Sequence, residues 1–201
     1  NLSCATAGFC AVLADGATWG NLERDFAHQM KVRLFDPMGM RLATFSAEEA
    51  RLTGDFAVSH KKAMLWPMRI EDEVTPREDP LSPAGGVRAS ITDMVRYLAS
   101  QLGFGVTPEG YQVVSEENLR QTWLPQTRDS HGIGYALGWG VERLGDSTLI
   151  FHEGYYAGYV ALLAMIPEKG IGIALLAKMD RGYGLASIAL DEWVSLVQNR
   201  Q

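Results

Sequence analysis

The chain has 201 residues, 47% of them hydrophobic and 21% charged, a balance that suits a globular domain with a real core and excludes a disordered segment. Its formal net charge of -6 comes without any run of Lys and Arg, which excludes a nucleic-acid surface, because phosphate binding needs clustered positive charge. A small molecule is the expected partner.

No run of about 18 apolar residues offers a membrane span, and no basic stretch precedes an apolar one at the start as in a secretory leader. The first residue is Asn1 rather than Met, so a processed or truncated product is expected. From Leu2 to Ala14, small and apolar residues predict a buried helix, ended by Asp15 and Gly16. Cys4 and Cys10 lie on it, separated by about 600° of helical turn and so on different faces. A mutual disulfide is not expected, neither has a zinc-ligand spacing, and both read as small buried hydrophobes.

In NLERDFAHQMKVRLF, Leu22, Phe26, Met30 and Leu34 recur four apart among charges, which predicts an amphipathic helix; DPMGM stops it. Ser46 with Glu49 has the spacing of a capping box for a short helix through Leu52. Periodicity then vanishes, and the Pro, Gly and charge of the stretch from Thr53 to Pro83 predict a long surface loop over 53–83. Loops of that length are more often functional than idle. Ser90 caps ITDMVRYLASQL, with Asp93 at the third helical position and Ile91, Met94, Val95 and Leu98 on one face. A further short helix starts at Ser115 and ends near Leu124 and Pro125.

After Pro125 the pattern changes to strands. GYALGWGVERL, STLIFHEGYYAGYVALLAMIP and GIGIALLAKMD are joined at Gly145-Asp146 and at Glu168-Lys169-Gly170, connections short enough for antiparallel hairpins; the middle segment is long enough for two strands. Leu185, Ile188, Ala189, Trp193 and Leu196 then form a helical stripe placed to cover one sheet face. Helices, an antiparallel meander and a closing helix make an α+β protein: a mainly helical part over 1–125 and strands with the last helix over 126–201, in one continuous domain. No internal repeat is visible.

Several motifs fail on their chemistry. HEGYY begins like HExxH, but Tyr156 stands where the second metal-binding His belongs. GIGYALG lacks the strand and helix that a dinucleotide loop needs, and there is no P-loop or G-x-S-x-G elbow. Ser59-His60-Lys61-Lys62 satisfies S-x-x-K, the pair in which a Lys one helical turn away deprotonates a Ser, yet it sits in the expected loop and reads as a chance tetrapeptide. His28 and His131 have no carboxylate or Cys partner at a meaningful spacing.

Four segments, in order, resemble the serine β-lactamase and penicillin-binding protein superfamily, in its class C β-lactamase-like branch of esterases, D-aminopeptidases and carboxypeptidases. LFDPMGMRLATFS is similar to the branch's Pro-Leu-Gly-Met segment, and SPAGGVRASITDMVRYL to its Pro-Ala-Gly-Gly stretch before a helix. YALGWGV is similar to its Gly-Leu-Gly-Trp strand, and FHEGYYAGYVALLAMIPEKGIGIALL to its His-x-Gly strand and following hairpin. The resemblance implies a β-lactamase/transpeptidase-like fold and a serine hydrolase that acts through an acyl-enzyme, with no cofactor and no metal, in a periplasmic or secreted setting.

Carried over by position, the resemblance puts His152 in the place of the substrate-facing Lys or His, Glu153 in the middle place and Gly154 in that of the glycine that lets substrate lie against the strand. It makes the Tyr155 N–H an oxyanion donor and gives Gly158 the tight path after the strand. The alternative for His152 is that it only caps a strand end. Glu153 departs from the family's small or hydroxyl residue, which weakens any inference of a substrate carboxylate beside it. Asn1 falls on the Asn of the family's Tyr-x-Asn motif, with the Tyr before residue 1; an arbitrary starting point is the alternative.

The family's nucleophilic Ser and its Lys, the first strands and the N-terminal helix have no counterpart in the sequence. The resemblance therefore implies an absent N-terminal half, supplied upstream or by a second chain, and exposed apolar faces at Leu162, Leu163, Ile173 and Leu175 that favour self-association. The competing reading is a non-catalytic binding or scaffold protein on the same fold, lacking the nucleophile.

Overall fold

A computed structural model describes residues 1–58, 60–63, 66–69, 81–156, 158–178 and 183–199. Helix α1 (Leu2–Ala14) gives way to Gly16, whose φ of +95° is a left-handed conformation that suits glycine. Helix α2 (Leu22–Met30) continues into a π-helical turn over Lys31–Phe35, so the stripe from Leu22 to Leu34 spans both. In α3 (Ala47–Leu52) the Ser46 hydroxyl accepts the Glu49 N–H at 3.1 Å. The Glu49 carboxylate takes the Thr44 hydroxyl instead of returning to the cap, and only half of the expected box forms.

The stretch expected to be a loop over 53–83 contains a hairpin, β1 (His60–Ala63) with β2 (Trp66–Arg69). Ser59 of the S-x-x-K tetrapeptide lies outside the described residues, and Lys62 is on a strand, not on the first turn of a helix. Next come α4 (Ser82–Gly85), α5 (Ile91–Leu102) and α6 (Glu116–Thr122). Six strands follow: β3 (Thr127–Arg128), β4 (Gly134–Tyr135), β5 (Gly140–Leu144), β6 (Ser147–Tyr156), β7 (Tyr159–Ile166) and β8 (Ile171–Lys178). They form an antiparallel meander in sequence order, and α7 (Tyr183–Gln198) closes the chain. No helix among the described residues is long and apolar enough to cross a membrane.

The sheet is covered on both faces. Ile150, Leu163 and Met165 share one face with Leu98 of α5 and with Trp123 and Trp139. Leu98 reaches the sheet because Gly172 leaves it room: a β-carbon there would stand 2.8 Å from Leu98 Cδ2. Leu149, Val160, Leu162 and Ala164 share the other face with Ala186 and Leu190 of α7, and half-buried Ile173 and Leu175 join them. The expectation that Leu162, Leu163, Ile173 and Leu175 stand bare is thus corrected; Leu162 is 1% exposed. Burying a leucine side chain contributes about 2 kcal/mol, and α5 and α7 supply the cover.

Three faces differ from their sequence reading. On α5, Leu98 is buried while Ile91 and Val95 are exposed, because Met94, Tyr97, Leu98 and Gln101 turn inward. On α7 the inward stripe is Ala186, Ala189, Leu190, Trp193 and Val197; Leu185, Ile188 and Leu196 are exposed. Helix α1 buries only Ala5 and Val12, and Cys4 and Cys10 are both exposed. The contact of α1 with its neighbours runs along one line, where Gly8 meets Pro83 and Phe26.

Candidate active site

The site is set by the phase of β6. Leu144 pairs with Ser147 across a two-residue turn, and a pair at that position can only be one that exchanges both N–H···O=C bonds. Since hydrogen-bonded pairs alternate along a strand, the odd-numbered amides of β6 point toward β5 and the even-numbered ones toward β7. Tyr156 and Tyr159, which close the next hairpin, give the same phase independently.

Strand β5 ends at the rung that joins Gly140 to Phe151. Beyond it the amides of Glu153 and Tyr155 are directed away from β7, to the side that β5 has left. The path bends off here: the Ala136 N–H donates to the Trp139 carbonyl at 2.8 Å, and Gly138 takes a φ of +86°. Gly140 is the residue that fits the last rung, because the Phe151 ring occupies the place of its side chain, with Cζ 2.7 Å from where a β-carbon would be.

Side chains alternate in the other direction. His152 lies on the α5 face with Ile150, opposite Leu163, and is exposed. Gly154, two residues on, faces Ala161, and among the described residues a β-carbon on it would find only that methyl, at 3.9 Å. Tyr156 is exposed at the far end of the same row. Among the described residues the α5 face of the edge is therefore a trough, open at Gly154 and bounded by His152 and Tyr156, whose α-carbons are about 13 Å apart at the rise of a strand. Leu176, in the same row as Ala161, is 41% exposed on its floor.

Glu153 and Tyr155 turn their side chains to the α7 face. The Ser187 hydroxyl donates to Glu153 Oε1 at 3.4 Å, and the Tyr155 ring packs among the residues under α7. What these two residues present at the edge is main chain. Gly158 is buried, with a φ of +82° that suits the tight turn into β7. Asn1 stands at the start of α1, where its carbonyl accepts the Ala5 N–H at 2.9 Å; it is not among the residues that line the groove beside His152.

That groove, of about 390 Å³, runs between the β3–β4 hairpin and β6, with Thr127, Tyr135, Gly140, Phe151, His152 and Glu153 in its walls. The hairpin's turn is held by Asp129, whose Oδ1 accepts the N–H groups of His131 and Ile133 at 2.9 Å each, and by Arg128, which donates to the Gly132 carbonyl at 2.9 Å. Tyr135 and Asp129 escaped the sequence reading because two-residue strands carry no periodicity. The available signal was the Asp129-to-Gly132 turn between Thr127 and Tyr135.

The Beta-lactamase family model matches residues 5–191. Penicillin-binding protein 4 of Amycolatopsis lactamdurans is 29% identical over an alignment of 170 residues that covers 80% of this chain and 42% of that protein. A β-lactamase from Sulfitobacter sp. EE-36 superposes on 99% of this chain and 59% of its own, with a TM-score of 0.76 at 16% identity. The octameric penicillin-binding protein homologue of Pyrococcus abyssi covers 85% of this chain and 38% of its own, with a TM-score of 0.65 at 22% identity. The chain thus spans about two fifths of the penicillin-binding protein's length. At such identities the two structures speak for the fold, an α+β sheet with helices on both faces. Together with the sequence match over nearly the whole chain, they lead to one assignment: this chain belongs to the β-lactamase family.

Proposed function

We propose that the chain forms part of a serine hydrolase that acts through an acyl-enzyme on an ester, amide or β-lactam. The observation that supports this reading is the phase of β6, which turns the Tyr155 N–H toward the side β5 has left while His152 stands exposed beside the trough. In the proposed reaction a serine hydroxyl from outside residues 1–201 attacks the substrate carbonyl carbon. Its proton passes to a neighbouring base, and the carbonyl electron pair moves onto oxygen.

The Tyr155 N–H donates to that oxyanion, a contribution of about 3 kcal/mol to lowering the barrier. Expulsion of the leaving group leaves the acyl group on serine, and water releases it. His152 can donate or accept a hydrogen bond to the attacking hydroxyl or to the substrate. Gly154 keeps the strand open to substrate backbone, Glu153 takes part through its main chain, and Gly158 fixes the turn that ends the edge. Asn1 is assigned the Asn of the Tyr-x-Asn motif.

The nucleophile-bearing half comes from upstream sequence or from a second chain. Two surfaces suit its packing: the trough floor at Ala161 and Leu176, and the outer side of β8, which pairs only with β7 among the described residues. A periplasmic or secreted setting belongs to the same reading. The test is incubation of the protein, as isolated from cells, with a fluorophosphonate or a labelled penicillin. Covalent labelling is expected; absence of labelling in every form would favour a binding protein on the same fold.

A further inference from the structure

Register decides which face of the sheet the walls of the groove beside His152 belong to. Thr127 pairs with Tyr135, Tyr135 with Gly140 and Gly140 with Phe151, and paired residues turn their side chains to the same face. That face is the one under α7, where Phe151 packs, and Glu153 shares it. Half-buried Phe151 and Tyr135, 48% exposed, thus stand on this face on either side of Gly140. Arg128 pairs in the row of Gly134, Val141 and Ile150 and turns to the α5 face, as His152 does. The charged side chains left on the α7 side of the groove are two carboxylates. Asp129 is engaged through Oδ1 by the amides of its own turn. Half-buried Glu153 meets, among the described residues, the Ser187 hydroxyl at 3.4 Å and no Lys or Arg.

We propose that Glu153 is a specificity-determining residue, whose carboxylate, with the Phe151 and Tyr135 rings in the same groove, takes an ammonium group of the ligand. A ligand laid along the edge, paired with the amides of Glu153 and Tyr155, sends successive groups to opposite faces of the sheet. One group enters the trough at Gly154, and its neighbour turns to the α7 face, where Glu153 stands. An ammonium there meets the opposite charge of the carboxylate and the negative faces of the rings; an anionic group is repelled. The small or hydroxyl residue that the family carries in this place exerts neither effect. The preference for a cation stands on these residues, and that the cation belongs to a substrate rests on the hydrolase reading.

Glu153→Gln keeps the shape of the side chain and removes its charge, and two readouts separate the two claims. In the first, benzyltrimethylammonium is titrated into the protein as isolated from cells, and binding is followed by broadening of the ligand's methyl proton signal. The half-saturating concentration should rise at least about fivefold in Glu153→Gln, the loss of one charge contact in a half-exposed place. No binding by the unaltered protein, or equal half-saturation in both, would overturn the cation site. In the second, labelling is compared for two fluorophosphonates that are alike except that one ends in trimethylammonium and the other in tert-butyl. The cationic probe should label with the higher efficiency, and Glu153→Gln should shrink that preference at least about fivefold. An unchanged preference alongside weakened benzyltrimethylammonium binding would overturn the role in substrate selection. If no form labels, the hydrolase reading fails, and the titration alone decides the cation site.

Discussion

Phe151 lies across Gly140 on the last rung between β5 and β6, its ring in the place a side chain at position 140 would take. The rung marks where β5 leaves and the trough edge begins, so the packing of these two residues borders the site directly. Gly140→Ala forces the Phe151 ring out of its position, and overpacking of this kind costs about 1–3 kcal/mol. Urea denaturation should show a lower midpoint with an unchanged slope. A variant as stable as the parent would mean that Phe151 has another place to go.

His152 stands exposed on the α5 face of that edge. His152→Ala in the complete protein should therefore lower turnover at least about tenfold, the low end of what a positioned proton-transfer or hydrogen-bonding side chain contributes, with the melting temperature unchanged. Turnover equal to the parent's would remove His152 from the mechanism.

Asp93, only 3% exposed, makes the reciprocal capping box that starts α5. Its Oδ2 accepts the Ser90 N–H at 3.0 Å, and its own N–H goes to Ser90 Oγ at 3.1 Å. Asp93→Ala keeps the Ser90 cap but removes the reciprocal half of the box and leaves the part-buried Ser90 N–H without its acceptor, at a cost of about 2 kcal/mol. Ser46→Ala, where half a box exists, should cost about 1 kcal/mol or less. The ranking of the two in denaturant midpoints is the check.

Burial pushes the Tyr97 phenol up to a pKa of about 12 from 10.0, beneath the stacked Trp139 ring at 6.4 Å. Between these values the unfolded chain has lost the proton and the folded one keeps it. Stability is fully present below pH 10 and falls as pH rises toward 12. Tyr97→Phe should flatten that alkaline fall, measured as denaturant midpoint against pH from 9 to about 12. An unchanged slope would show that the ring is not shielded from water.

The parts that read well from sequence are those where local chemistry decides alone. Ser90 and Asp93 start a helix because side-chain oxygens meet orphan amides, and Gly145-Asp146 makes a hairpin because glycine accepts the turn. Faces read less well. In α7 nearly every position is apolar or small, so the pattern that names Leu185 and Ile188 fits about as well as the one that names Ala186 and Leu190, and contact with β7 selects the second. Ile91 and Val95 mislead in the same way on α5, and Cys4 and Cys10 are exposed because α1 meets its neighbours, among the described residues, along one line.

At the site, the resemblance pointed to positions 152–155 and put His152 in the substrate-facing place, but did not say where the side chains of Glu153 and Tyr155 turn. The register supplies that, and it turns the Glu153 carboxylate to Ser187 while leaving its main chain at the edge. Two-residue strands such as β3 and β4 leave only the turn between them as a local trace, and a bond between residues 57 and 159 arises from tertiary pairing and leaves none.

The central claim is that the edge from His152 to Tyr155 borders a cleft whose attacking oxygen comes from outside residues 1–201. Peptide mapping by mass spectrometry after labelling the protein isolated from cells, with penicillin or a fluorophosphonate, tests it most directly. The account predicts one adduct, on the Ser of a Ser-x-x-Lys outside this stretch, and a loss of labelling in His152→Ala. An adduct on Ser59 or any other serine of residues 1–201 would contradict it.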